Sequence, residues 1–155
     1  MQRKPHRRGK EKDKDPFDVP KKFGDTITMG NTGSNNRRDV SRHGDKTTCA
    51  MQDRYSRWIW GYPAPDRSIP TTVANMFHFI GAHATVGLLY FDTAKEYIAA
   101  ATRLGCRHAT RDKHRPASNG VAERAVRRLL EGARTILNQL GLPHTYWPDA
   151  VEAYS

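Results

Sequence analysis

The chain has 155 residues, enough for one domain, with 26 Lys and Arg against 16 Asp and Glu, a formal net charge of +10. That balance points to a polyanionic partner, either nucleic acid or an anionic membrane surface. It carries no signature of a membrane span or a secreted protein: the longest apolar run, Val86 to Phe91, is far too short for a bilayer, and no apolar stretch follows the basic N-terminus.

The expected location is therefore nuclear or cytoplasmic. Cys49 and Cys106 are far apart and form no CxxC pair, so neither a disulfide framework nor a zinc knuckle is expected. Residues 1–22 hold nine Lys/Arg, four Asp/Glu and almost no apolar side chains. Such a stretch buries too little surface to offset its ordering entropy and reads as a disordered basic arm, leaving 23–155 as the folded domain.

Phe23 to Met29 alternates and is rich in β-formers, predicting a first strand. Residues 30–46, full of Gly, Asn, Ser and Arg, read as a long loop, functional or disordered. Thr47 to Gln52 and Arg57 to Tyr62 predict a strand pair joined by a turn at Asp53-Arg54-Tyr55-Ser56. Val73, Met76, Phe77 and Ile80 have helical spacing and predict a helix over 71–80, closed by Gly81. Thr85 to Phe91 reads as a buried central strand. Thr93 to Glu96 has a capping-box pattern and opens a helix ending near Gly105. Cys106 to Thr110 is a short strand candidate, and Arg111 to Ser118 a basic loop. Asn119 can cap a long helix to about Leu140, stopped by Gly141 and Pro143. A last helix begins near Tyr146 and is still running at Ser155, as expected of a fragment. Strands followed by helix–strand–helix–strand–helix predict a mixed α/β sheet.

Two acids stand where this pattern places chemistry. Asp92 follows the apolar strand directly, and Glu123 lies in the first turn of the long helix. A strand end and a helix start that meet can hold Mg²⁺, and a pair of such ions can clamp a phosphoryl transfer. Each acid alone has a plainer explanation. Asp92 can cap a helix, and Glu123 is favoured by the helix dipole.

Three segments resemble one family, in order. Asp53-Arg54-Tyr55-Ser56-Arg57-Trp58 resembles its DxxSRW turn. Tyr90-Phe91-Asp92-Thr93-Ala94-Lys95-Glu96-Tyr97 resembles its strand-then-DNxxEF segment. Asn119-Gly120-Val121-Ala122-Glu123-Arg124 resembles its NGxxER segment. The family is the catalytic core of retroviral and retrotransposon integrases, with the ribonuclease H-like fold, a mixed five-stranded sheet flanked by helices. The resemblance implies a D,D,E triad that uses Mg²⁺ or Mn²⁺ to trim and join DNA ends, with Asp92 as second acid and Glu123 as third, both as metal ligands. It also implies DNA, or an RNA/DNA hybrid, as partner, and admits a homo-oligomer. Arg115, Asn119, Arg124, Arg127 and Arg128 become the nucleic-acid-binding candidates.

The first acid departs from the pattern, because Gly30 stands at its place. Asp25 lies five residues earlier and points to the opposite face of a regular strand. Asp39 and Asp45 lie in the loop. The expectation is an integrase core in which one triad member is missing. The alternatives are a non-catalytic nucleic-acid-binding remnant of a retrotransposon polyprotein and a ribonuclease H-like nuclease.

Overall fold

The structure is a computed structural model and describes residues 19–33, 39–82, 85–110 and 120–155. Most of the expected 1–22 arm, the middle of the 30–46 loop and the basic loop over 111–119 lie outside the described residues, Arg115 and Asn119 among them. The elements in chain order are β1 (Thr26–Gly33), β2 (Thr47–Asp53), β3 (Ile59–Ala64), α1 (Ile69–Ile80), β4 (Leu88–Phe91), α2 (Lys95–Arg103), β5 (His108–Thr110), α3 (Gly120–Leu140), a 3-10 turn (His144–Tyr146) and α4 (Trp147–Tyr154). The strands form one five-stranded sheet in the order β3-β2-β1-β4-β5. β1, β2 and β3 are antiparallel neighbours, whereas β4 and β5 run parallel to β1. This is the mixed, helix-flanked sheet that the element pattern predicts.

Alternation along β1 divides the core into two layers. Ile27 and Met29 point to one face, where they join Met51, Leu89 and Phe91 beneath Met76 and Phe79 of α1 and Tyr97, Ala100 and Ala101 of α2. On the other face α3 lies across β1, β2 and β3, and α4 packs on α3 and β3. The buried stripe of α3 is Ala122, Ala125, Leu129, Gly132, Ala133 and Leu137. Glycines let α4 pack closely: Val151 lies against Gly61 of β3, and the Tyr154 ring against Gly132 of α3.

Several boundaries differ from the sequence reading. β1 begins three residues later than expected and continues to Gly33, into the stretch read as loop. The reason is non-local: Gly30, Asn31, Thr32 and Gly33 pair with Ala50, Cys49, Thr48 and Thr47, so a partner strand satisfies backbone groups that local propensity leaves undecided. β3 runs through Pro63, which an edge strand tolerates because its outward side needs no donor. α1 starts at Ile69, with Pro70 in its first turn and the Ser68 side chain accepting from Thr71 N–H. β4 and β5 are shorter than expected. The capping box at Thr93 does not form. α2 begins one residue too late for it, its N-cap is Ala94, and Asp92 accepts the hydrogen bond from the Ala94 amide.

Candidate carboxylate site

Asp92 follows the last residue of β4, and Glu123 sits in the first turn of α3. The fold brings both onto one open cleft of about 410 Å³, together with Met29, Gly30, Asn31, Ala122, Val126, Arg127, Leu130, Glu131 and Arg134. Both carboxylates are exposed. Asp92 is oriented by a single bond, from the Ala94 amide to Oδ1 at 3.1 Å.

Gly30, on β1, lines the same cleft as these two acids. A Cβ built there meets Val126 Cγ2 at 3.3 Å and Ala122 Cβ at 3.4 Å, so a side chain at position 30 would be directed at the first turns of α3, which carry Glu123. Among the described residues, no three His, Cys, Asp or Glu side chains are grouped closely enough to hold a metal ion. The other acids considered from sequence are engaged elsewhere. Asp25 precedes β1, and its Oδ2 accepts from the amides of Lys21 and Lys22 at 2.8 and 3.1 Å. Asp45 accepts from Ser41 Oγ at 2.8 Å. Asp39 lines a separate pocket with Lys46 and His144.

Of the basic candidates, Arg127 lines the carboxylate cleft. Arg124, Arg127 and Arg128 line the adjoining groove on the outer side of α3 with Glu131 and Tyr154. Sequence reasoning assigned no site role to Arg134 or Glu131. The signal was present: Glu123, Arg127, Glu131 and Arg134 follow helical spacing along one face.

Away from the cleft, the segment before β2 ties down the C-terminal helix. Arg42 donates to both carboxylate oxygens of Asp149, at 2.8 and 3.3 Å, and lies 4.3 Å from the centre of the Tyr146 ring. The guanidinium holds the Asp149 carboxyl below its ordinary range. Trp147 Nε1 donates to the Asp39 carbonyl at 2.9 Å. Inside the other layer, burial pushes the Cys49 thiol up to about 12.

Known structures share this architecture. A chain of the simian T-cell lymphotropic virus intasome, solved in complex with PP2A regulatory subunit B56 gamma, superposes with a TM-score of 0.63 and 16% identity over 83% of this chain and 46% of its own. The catalytic core domain of BIV integrase gives 0.56 and 19%, and that of HTLV-2 integrase, solved in complex with magnesium in a trimeric form, gives 0.58 and 13%; both matches cover 83% of this chain and 80% of theirs. The chain therefore shares the fold of these integrase catalytic cores, a mixed five-stranded sheet flanked by helices of ribonuclease H-like type.

Sequence relatives narrow the class. The chain is 31% identical to the retrovirus-related Pol polyprotein from transposon RE2 of Arabidopsis thaliana over 109 residues, 63% of its length, and 30% identical to that from transposon RE1 over 104 residues, again 63%. It is 29% identical to that from transposon TNT 1-94 of Nicotiana tabacum over 120 residues, 72% of its length. It spans only 7 to 9% of the length of these polyproteins. No family model matches. In sequence the chain is thus similar to a short part of retrotransposon Pol polyproteins, and in fold to integrase catalytic cores.

Proposed function

We propose that this chain is the DNA-engaging core of a retrotransposon integrase whose metal site holds two of three acids, so that end processing and strand transfer are impaired by Gly30. The observation that carries this reading is the cleft itself: Asp92 and Glu123 line it together, and the position from which a third side chain would enter is a glycine. Two carboxylates fit one Mg²⁺ that keeps several of its waters. They do not fit a pair of ions, each of which needs its own ligands, and no step is derived through such a pair. When bound, a single ion would supply charge stabilisation to a phosphate oxygen.

The chain's own contribution is binding and positioning. Arg127 and Arg134 flank the two acids, and Arg124 and Arg128 continue the cationic face along α3. Such groups hold a phosphate backbone and set its register without reading sequence. The expected affinity is for duplex DNA and falls steeply with salt.

The test is a Mg²⁺-dependent end-cleavage and joining assay on the wild type beside Gly30→Asp and Gly30→Asp/Glu123→Ala. Duplex binding is measured in parallel on the wild type. The expected outcome is binding without appreciable joining for the wild type, joining in Gly30→Asp, and its loss when Glu123 is also removed. Efficient joining by the wild type, or its persistence after Asp92 and Glu123 are both replaced, would overturn the proposal.

A further inference from the structure

The turn between β2 and β3 presents aromatic surface that the carboxylate cleft does not use. Trp58 is 49% exposed and Tyr55 54% exposed. The Trp58 ring stacks on Trp60, with centroids 5.7 Å apart and an interplanar angle of 26°. Trp60 lies 6.5 Å from His78 of α1, which shares a 2.9 Å hydrogen bond with the Tyr62 hydroxyl. The Trp58 ring is thus supported by other rings and still half open to solvent.

The turn is also held rigidly. Asp53, 0% exposed, accepts from Gly24 N–H, Ser56 N–H and Ser56 Oγ at 2.9, 2.7 and 2.7 Å. Ser56 Oγ in turn accepts from Trp58 N–H at 3.1 Å. Arg57 takes a left-handed backbone, φ 66°, and is exposed.

The charge around these rings is positive. The Gly24–Asp53 bond brings the Lys21–Lys22 segment beside the turn, which contributes Arg54 and Arg57. Arg54 is placed by the Tyr90 ring, 5.9 Å from its centre. The two nearby acids are already engaged, Asp53 by its three donors and Asp25 by the amides of Lys21 and Lys22. Exposed rings interleaved with cations match the faces of unpaired bases and the phosphates between them. A surface for a second copy of the chain would instead be depleted of charge at its centre.

We infer that the Tyr55–Trp58 turn is a stacking platform for single-stranded nucleic acid, separate from the carboxylate cleft. It rests on the nucleic-acid-binding reading above and adds the form of the ligand. β1 lies between the two sites: Asp53 pairs with Ile27 near its start, and Gly30 borders the cleft further along.

The experiment is equilibrium binding of a fluorescent oligothymidylate and of a duplex, with EDTA present so that metal chemistry plays no part. Wild type, Trp58→Ala, Trp58→Phe and Arg57→Gly are compared, the last relieving the left-handed backbone while removing the charge. The platform predicts about tenfold weaker single-strand binding for Trp58→Ala, partial recovery in Trp58→Phe, and unchanged duplex binding. Arg57→Gly lowers the salt slope of single-strand binding by about 0.7. Single-strand affinity unchanged in both Trp58→Ala and Arg57→Gly overturns the platform and leaves the cleft proposal standing. So does a concentration-dependent dimer, seen by sedimentation, that Trp58→Ala abolishes without altering single-strand affinity. Loss of duplex binding in the wild type would instead sink the reading of the cleft.

Discussion

Asp53 and Asp92 both stand at the end of a strand, Asp53 as the last residue of β2 and Asp92 just after β4, and are put to opposite uses. Asp53 is fully buried and has three hydrogen bonds, one reaching back to Gly24. Asp92 is exposed and accepts one bond from the next turn. A carboxylate with its oxygens occupied by fixed donors holds a fold together. One with its oxygens facing an open cleft beside a second acid remains available to an ion. The family-like turn motif around Asp53 is thus architectural in this chain, and under the proposed function the chemistry falls to the cleft.

The contrast can be broken most directly by removing each acid. Asp53→Ala leaves the buried Gly24 amide and the part-buried Ser56 amide and hydroxyl without their acceptor and is expected to lower unfolding stability by about 3 kcal/mol. Asp92→Ala is expected to cost about 1 kcal/mol or less, the value of one exposed local hydrogen bond. Equal losses in chemical denaturation would show that the two acids are not divided in this way. The next largest effect is expected at Gly30. Gly30→Asp presses on Val126 and Ala122 and places a third carboxylate near two others, which costs about 1 kcal/mol without metal. Added Mg²⁺ should recover that loss and raise the melting temperature of this variant more than that of the wild type. An identical Mg²⁺ response in the two would separate position 30 from the cleft.

Burial makes the same distinction among thiols. Cys49 keeps its proton up to about pH 12, whereas in the unfolded chain it titrates near about 8.5. The native state therefore binds more protons across that interval, and the stability from neutral Cys49 falls as pH rises through it. Cys106, half-buried at the end of α2, is expected to take up an alkylating reagent at neutral pH while Cys49 does not, as intact-mass measurement will show. The smallest effect is at Asp149. Its folded pKa is depressed by Arg42, so its contribution is present above the unfolded value of about 3.9 and is lost as pH falls through the lower folded value. The wild-type advantage over Arg42→Ala should shrink as pH falls below about 3.9. The pair is exposed, so the difference is small and screened by salt.

Local signals carried much of this. The apolar run ending at Phe91, the spacing of Val73, Met76, Phe77 and Ile80 before Gly81 and the 3.6-residue stripe of α3 are properties of neighbouring residues, and each element appears where those signals put it, to within a few positions. What stayed hidden depends on partners distant in sequence. Gly30 to Gly33 look like loop until β2 pairs with them. Asp53 looks like a turn residue until Gly24, 29 positions away, donates to it. The capping box at Thr93 did not form because α2 starts one residue later, with Ala94 as its N-cap and no side-chain cap, while Asp92 accepts locally from the Ala94 amide. Arg134 joins the cleft only once the α3 stripe is seen to begin at Glu123.

The edge of the sheet at β3 has a consequence of its own. Along the outward side of this strand, the Gly61 amide donates to Ser155 Oγ at 2.9 Å, and position 63 is a proline with no amide to offer. Two successive outward positions therefore give an incoming β-strand no free donor. This end of the sheet resists extension by another chain, and with it the strand-to-strand aggregation that exposed edges invite.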